Sequence, residues 1–124
     1  MGKAVHNDVL DAALAEVATA NIMTLCSQEP TTRTEAVTTY ALADVAMTPG
    51  DGNDYTIADG DTNGRKVTVS AKNNVTVDTT GTGTHVALCD GSTLLYVTTC
   101  TSKAVTASDE VNFPAWDIEI ADPT

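Results

Sequence analysis

Asp59, Asp61 and Asn63 stand at alternate positions in DGDTNG, and Gly64 follows. Oxygen donors at positions 1, 3 and 5 with glycine at 6 open the calcium loop of an EF-hand: the cation takes many hard oxygen ligands, and glycine permits the sharp turn. The remainder of the loop departs from that pattern. Position 12, counted from Asp59, is Ser70 and not the bidentate Glu, and position 8, normally apolar, is Lys66. Arg65 and Lys66 set two cations against any ion. The flanks YTIAD and RKVTVSA read as strands where an EF-hand needs helices. A looser Ca2+ site from Asp51, Asn53, Asp54, Asp59 and Asp61 stays open as a candidate. The plainer reading is an acidic turn, since Asp and Asn side chains hydrogen-bond their own backbone in turns.

The other reactive side chains are sparse. The histidines are His6 and His85, and neither falls in a zinc-ligand spacing. His85 and Cys89 share a strand face, but four residues of strand separate them by roughly 13 Å. No serine sits in a nucleophile elbow. Cys26, Cys89 and Cys100 are odd in number and form no C-x-x-C pair, so they read as reduced, partly buried residues. Paired carboxylates for sugar hydrolysis would need a cleft with aromatic platforms. Trp116, Tyr40, Tyr55, Tyr96 and Phe113 are the whole aromatic stock, and the acids lie mainly in turns. NVT at 74–76 fits a glycosylation acceptor but reads as chance in a chain rich in Asn and Thr. No enzyme and no further cofactor are expected.

Charge narrows the classes further. With 17 acids against 6 bases the net charge is −11, and Arg65-Lys66 is the one adjacent basic pair. Binding nucleic acid needs clustered Lys and Arg to displace condensed counterions, so it is not expected, and anionic membranes are disfavoured alike. No apolar run approaches the roughly 20 residues that span a bilayer. The first residues carry acids inside their apolar stretch and do not read as a secretory signal. The expected setting is a cytoplasm, or a larger assembly built there.

The elements that must position these groups are mostly strands. The one helix is expected over 7–19, capped by Asn7, with Val9, Leu10, Ala13, Leu14 and Val17 forming an apolar stripe. A helix this short needs its stripe docked, either on its own domain or on a neighbouring subunit. Strands are expected at 21–27, 41–48, 55–59, 65–72, 75–80, 84–90, 94–99, 103–107 and 111–120. Asn73-Asn74 and Gly81-Thr82-Gly83 are read as breaks, and 28–36 as a polar loop. Asp90-Gly91 signals a hairpin with positive φ at Gly91, with Val86 and Leu88 sharing a face with Leu95 and Val97. Pro114 argues for an edge or bulge. Thr- and Val-rich strands behind one helix predict a mainly β fold: a small antiparallel β-sandwich or barrel with one N-terminal α-helix, divided as helix 1–20 and a single β domain 21–124.

Residues 81–123, GTGTHVALCDGSTLLYVTTCTSKAVTASDEVNFPAWDIEIADP, resemble a pattern of small virion proteins of tailed bacteriophages. A strand like THVALCD pairs with one like LLYVTT; a further strand and a turn follow, then a closing strand like VNFPAWDIEI. The upstream RKVTVSA is similar as well. The resemblance implies a structural role in the particle, as a head decoration (cement) protein assembled in the bacterial cytoplasm onto the major capsid protein or other virion proteins. It carries over no catalytic residue. A surface of this kind grips through apolar patches, loops and edge strands. The candidates are Val9, Leu10, Leu14 and Val17 on the helix, the loop 28–36, and the closing strand with Trp116; the plainer reading of Trp116 is that it fills the domain's own core. Many copies on a symmetric shell make a homo-oligomer natural. A ligand- or carbohydrate-binding β module on a tail or fibre is the alternative.

Overall fold

The computed structural model describes residues 3–123. Helix α1 spans Asn7–Val17. Its cap lies one residue earlier than expected: His6 is extended, and its Nδ1 accepts the Asp8 N–H at 3.1 Å. The imidazole nitrogen thus serves as the acceptor that a Ser or Asp oxygen supplies elsewhere. The strands are β1 (Ile22–Cys26), β2 (Ala41–Ala46), β3 (Tyr55–Asp59), β4 (Arg65–Val69), β5 (Lys72–Thr76), β6 (Gly81–Cys89), β7 (Leu94–Val105), β8 (Glu110–Phe113) and β9 (Trp116–Ile120).

All named strand pairs are antiparallel. The strands form a four-stranded sheet in the order β2-β1-β6-β7, a three-stranded sheet β3-β4-β9 and a two-stranded sheet β5-β8. The fold is mainly β, in a sandwich-like arrangement with one N-terminal helix. Met23 and Leu88 of the first sheet, Tyr55, Val67, Val69 and Ile118 of the second, and Val75, Val111 and Phe113 of the third meet in one apolar cluster. Leu14 brings α1 into that cluster, and the helix packs on β4 while touching β3 and β7. Tyr55, fully buried, donates its hydroxyl to the Ala20 carbonyl at 2.9 Å, and burial pushes its pKa up to about 12.

The four-stranded sheet is covered on its other face too. Residues 28–40 fold back over it through a short π-helical turn, Glu35–Thr39, and Ala36 packs against Cys26, Ala87 and Cys89. Arg33 Nε donates to the Asp90 carbonyl at 2.7 Å and fastens this segment to the far hairpin. The expected polar loop is therefore a docked cover. It explains why Met23, Thr24, Leu25 and Cys26 are buried in succession where a one-sided strand would alternate.

Several expected boundaries move. Gly81 and Gly83 lie inside β6, not at a break. A Cβ on Gly83 would sit 2.6 Å from Leu25 Cδ1, so the strand keeps glycine to let the Leu25 side chain pass. Asn73 and Asn74 lie within β5 as an irregularity, with Asn74 at φ 58, rather than forming a turn. Ala71 is exposed because β4 ends at Val69. The expected strand 103–107 is the end of β7, which runs unbroken from Leu94. The last expected strand is two. Pro114 and Ala115 separate β8, paired with β5, from β9, paired with β4.

The β6–β7 hairpin is present, with Cys89 opposite Leu94. Asp90 Oδ1 accepts the N–H groups of Ser92 and Thr93, and Gly91 is not at positive φ. A register shift after Leu88 sets Leu88 opposite Tyr96 and Ala87 opposite Val97. Leu95 shares the main core with Val86 and Leu88 as expected, but beyond the bulge the alternation shifts, so Tyr96 joins the main core and Val97 faces the cover beside Leu94.

Candidate functional site

The acidic loop does not assemble a calcium site. Asp54 immediately precedes β3, whereas Asp59 ends it and Asp61 lies beyond, so a strand of roughly 15 Å separates Asp54 from the other two, and Asp51 lies alongside the middle of β3. Each carboxylate is already engaged. Asp51 Oδ1 accepts the Ile57 N–H at 2.9 Å, and Asp54 Oδ2 accepts the Thr48 N–H at 2.6 Å and lies 3.0 Å from Lys72 Nζ. Asp59 lies 2.7 Å from Arg65 Nη1, and Asp61 lies 2.7 Å from Lys66 Nζ. Arg65 Nε also reaches Asp11 of α1 at 2.7 Å, and Lys66 reaches Asp117 of β9 at 3.4 Å. No group of three His, Cys, Asp or Glu side chains converges among the described residues. The loop instead ties the helix and β9 to β4. Gly64, at φ 72, permits this because a Cβ there would overlap the Ile120 carbonyl oxygen.

The helix stripe is spent internally. Leu10 and Leu14 are buried in the chain's own fold and cannot anchor a partner, Val17 is half-buried, and Val9 is 60% exposed. Trp116 is different. It opens β9, is half-buried, and lines a groove.

Two irregularities make that groove. On β7, Gly83 pairs with Lys103 and His85 with Thr99, so Cys100, Thr101 and Ser102 together oppose the single Thr84. The strand therefore swells away from β6 at Cys100. Across from it, Phe113-Pro114-Ala115 carries the chain from the two-stranded to the three-stranded sheet. Proline has no N–H to donate, so neither sheet continues through this corner. Between bulge and corner lie two adjoining cavities of about 300 and 260 Å³, which share Val86, Cys100, Phe113 and Pro114 as lining. Tyr96 and Trp116 lean together over one end, ring centres 5.9 Å apart at 33°. The Trp116 indole N–H is buried without an acceptor among the described residues. Cys100 is a free thiol in the groove lining, pushed up from its ordinary pKa by burial.

Little here can transfer protons or bind an ion. His85 faces Thr84, with Nδ1 2.8 Å from its hydroxyl, and pairs across β6–β1 with Cys26. Cys89 is buried and pushed up to about 11, first by desolvation. What the groove can do is accept an apolar group against an aromatic wall. Trp116 was singled out from its type alone, whereas the bulge that opens the floor beneath it left no mark in the sequence. Among the described residues no helix is long and apolar enough to cross a membrane. Comparison with protein-family models, curated proteins and solved structures finds no match.

Proposed function

We propose that the chain is a structural virion protein of a tailed bacteriophage, a capsid decoration protein that binds and stabilises the head shell. Its partner is the major capsid protein or another virion protein, and it joins the particle during assembly in the host cytoplasm. The observation that carries this reading is the apolar groove between the Cys100 bulge and the Pro114 corner, walled by the half-buried Trp116. Tryptophan beside an apolar cavity is the usual anchor of a protein–protein contact. The resemblance of residues 81–123 to small virion proteins supports the same direction. The strands that build the groove are held by a continuous core, so the surface is presented without reordering.

In this reading the chain has no catalytic site. A sugar-binding platform is less well supported, because its aromatics do not share a face. Tyr55 is fully buried, and Tyr40 packs on the opposite side of the four-stranded sheet from Tyr96. Thr98 lines the groove, and Thr98→Trp should fill it. The test is co-sedimentation of the protein with heads of the encoding phage assembled without it. Wild-type protein should saturate the heads and Thr98→Trp should not. Equal binding by both, or no binding by either, would overturn the proposal.

A further inference from the structure

Four glycines of the chain follow an Asp or Asn: Asp51-Gly52, Asp59-Gly60, Asn63-Gly64 and Asp90-Gly91. In such a pair the glycine nitrogen can attack the Cγ of the residue before it and close a five-membered succinimide. Glycine favours the closure because it has no Cβ to obstruct the approach and adopts conformations closed to other residues.

The structure treats the four pairs differently. The Gly52 N–H donates to the Tyr55 carbonyl at 2.8 Å, and the Gly60 N–H to the Gly64 carbonyl at 2.9 Å, so both nitrogens are held. The Gly64 and Gly91 N–H groups have no acceptor among the described residues. Asp90 is nevertheless a poor electrophile. The Ser92 and Thr93 N–H groups hold its carboxyl below the ordinary pKa, and an ionised carboxylate resists attack by a nitrogen that has given up its proton. Asn63 differs from all three. Its carboxamide is neutral, the residue is exposed to water, and its Oδ1 accepts the Asp122 N–H at 3.0 Å. That donor meets the oxygen on which charge develops when Cγ is attacked, which is how an oxyanion hole lowers a barrier.

We propose that Asn63 is a site of self-modification, at which the Gly64 nitrogen displaces ammonia from the Asn63 carboxamide while the Asp122 N–H steadies the oxyanion. Hydroxide takes the Gly64 proton as the nitrogen bonds to Cγ, and the carbonyl electron pair moves onto Oδ1. Return of that pair expels Nδ2, which leaves as ammonia with a proton from water. Water then opens the succinimide at either carbonyl, leaving isoaspartate or aspartate at 63. In sum one water is consumed and one ammonia released. The new carboxylate adds one negative charge to a chain already at −11, on the loop that carries Asp59 and Asp61. In the isoaspartyl form the backbone runs through the former side chain, so the turn closed by the Gly60–Gly64 bond gains an atom and the tie to Asp122 changes its geometry. Neither consequence depends on what the groove binds.

The isolated full chain, incubated for days at neutral and at mildly alkaline pH in heavy-oxygen water, tests this by peptide mass spectrometry and enzymatic methylation of isoaspartate. The expected result is modification at Asn63 well ahead of Asn53, Asn73, Asn74 and Asn112, with isoaspartate present, and faster at the higher pH. Asn63→Gln should abolish the signal from this position. Asp122→Pro removes the assisting N–H and should slow the reaction about threefold or more, whereas Asp122→Ala keeps that N–H and should not slow it. Unchanged thermal melting of both Asp122 variants shows that the fold is intact. No modification at Asn63 overturns the proposal, as does a rate in Asp122→Pro equal to or above that in Asp122→Ala.

Discussion

Replacing Leu14 by Ala separates a helix docked on its own fold from one held out for a neighbour. Leu14 is 1% exposed and sits in the central cluster with Val67, Val69 and Leu88, whereas Val9 on the same helix is 60% exposed. Truncating a buried leucine removes its transfer free energy and leaves a cavity, together about 3–5 kcal/mol. A domain of this size has about 5–15 kcal/mol of stability in all, and each kcal/mol is worth roughly 3–6 °C in Tm. Leu14→Ala should therefore lower Tm by about 10–30 °C, while Val9→Ala, which removes little buried surface, should change stability by less than about 0.5 kcal/mol. Thermal and urea unfolding of the isolated chain, followed by circular dichroism, measures both. If Leu14→Ala melts within a few degrees of wild type, or Val9→Ala costs as much, the helix is not docked as described.

Three further outcomes follow from single contacts. Gly83→Ala forces a methyl against Leu25 at a contact of 2.6 Å and should cost about 1–3 kcal/mol in urea unfolding; an unchanged midpoint would contradict the packing. Burial raises the Asp54 pKa, but the Thr48 N–H and Lys72 outweigh it and hold the carboxyl below its ordinary value. The folded state then binds fewer protons than the unfolded one, so this stabilisation is complete above the ordinary carboxylate pKa of about 4 and is lost as the pH falls towards the folded value. Asp54→Asn should flatten the fall in urea midpoint between about pH 5 and 3; an identical profile in the variant would count against the contact. Thiol titration of the folded protein should label Cys100 well before Cys26 and Cys89, which are fully buried, and urea should release all three together. Fast labelling of Cys26 in the native protein would show that the cover over the four-stranded sheet is open.

The strands that obey a simple period were legible before any coordinates. Val67 and Val69 alternate inward, Trp116 and Ile118 likewise, and the apolar stripe of α1 carries the two leucines that bury it. The largest departures are places where one residue answers to a distant one. Gly83 looks like a chain break until Leu25 is set against it. Simple alternation sets Tyr96 on the face opposite Leu88, and the bulge beside Leu88 brings it to the main core. Cys26, Ala87 and Cys89 form a second buried face, and nothing in the sequence shows that Ala36 folds over it. The acidic loop showed the opposite failure. Its spacing suggested an ion, but Arg65 and Lys66 pair with Asp59 and Asp61, Asp51 is engaged by the Ile57 N–H, and the strand β3 holds Asp54 away from Asp59. The groove belongs to the first kind. Pro114 announces a corner, but nothing local shows that β7 bulges opposite it.

The most direct test of the groove as a docking site is the heat stability of phage heads that lack the chain, read as the temperature of DNA release with and without added protein. Wild-type protein should raise that temperature, and its Cys100 thiol should become unreactive on the heads. Thr98→Trp should do neither. Heads equally stable without the protein, or protected heads on which Cys100 still reacts freely, would contradict the account.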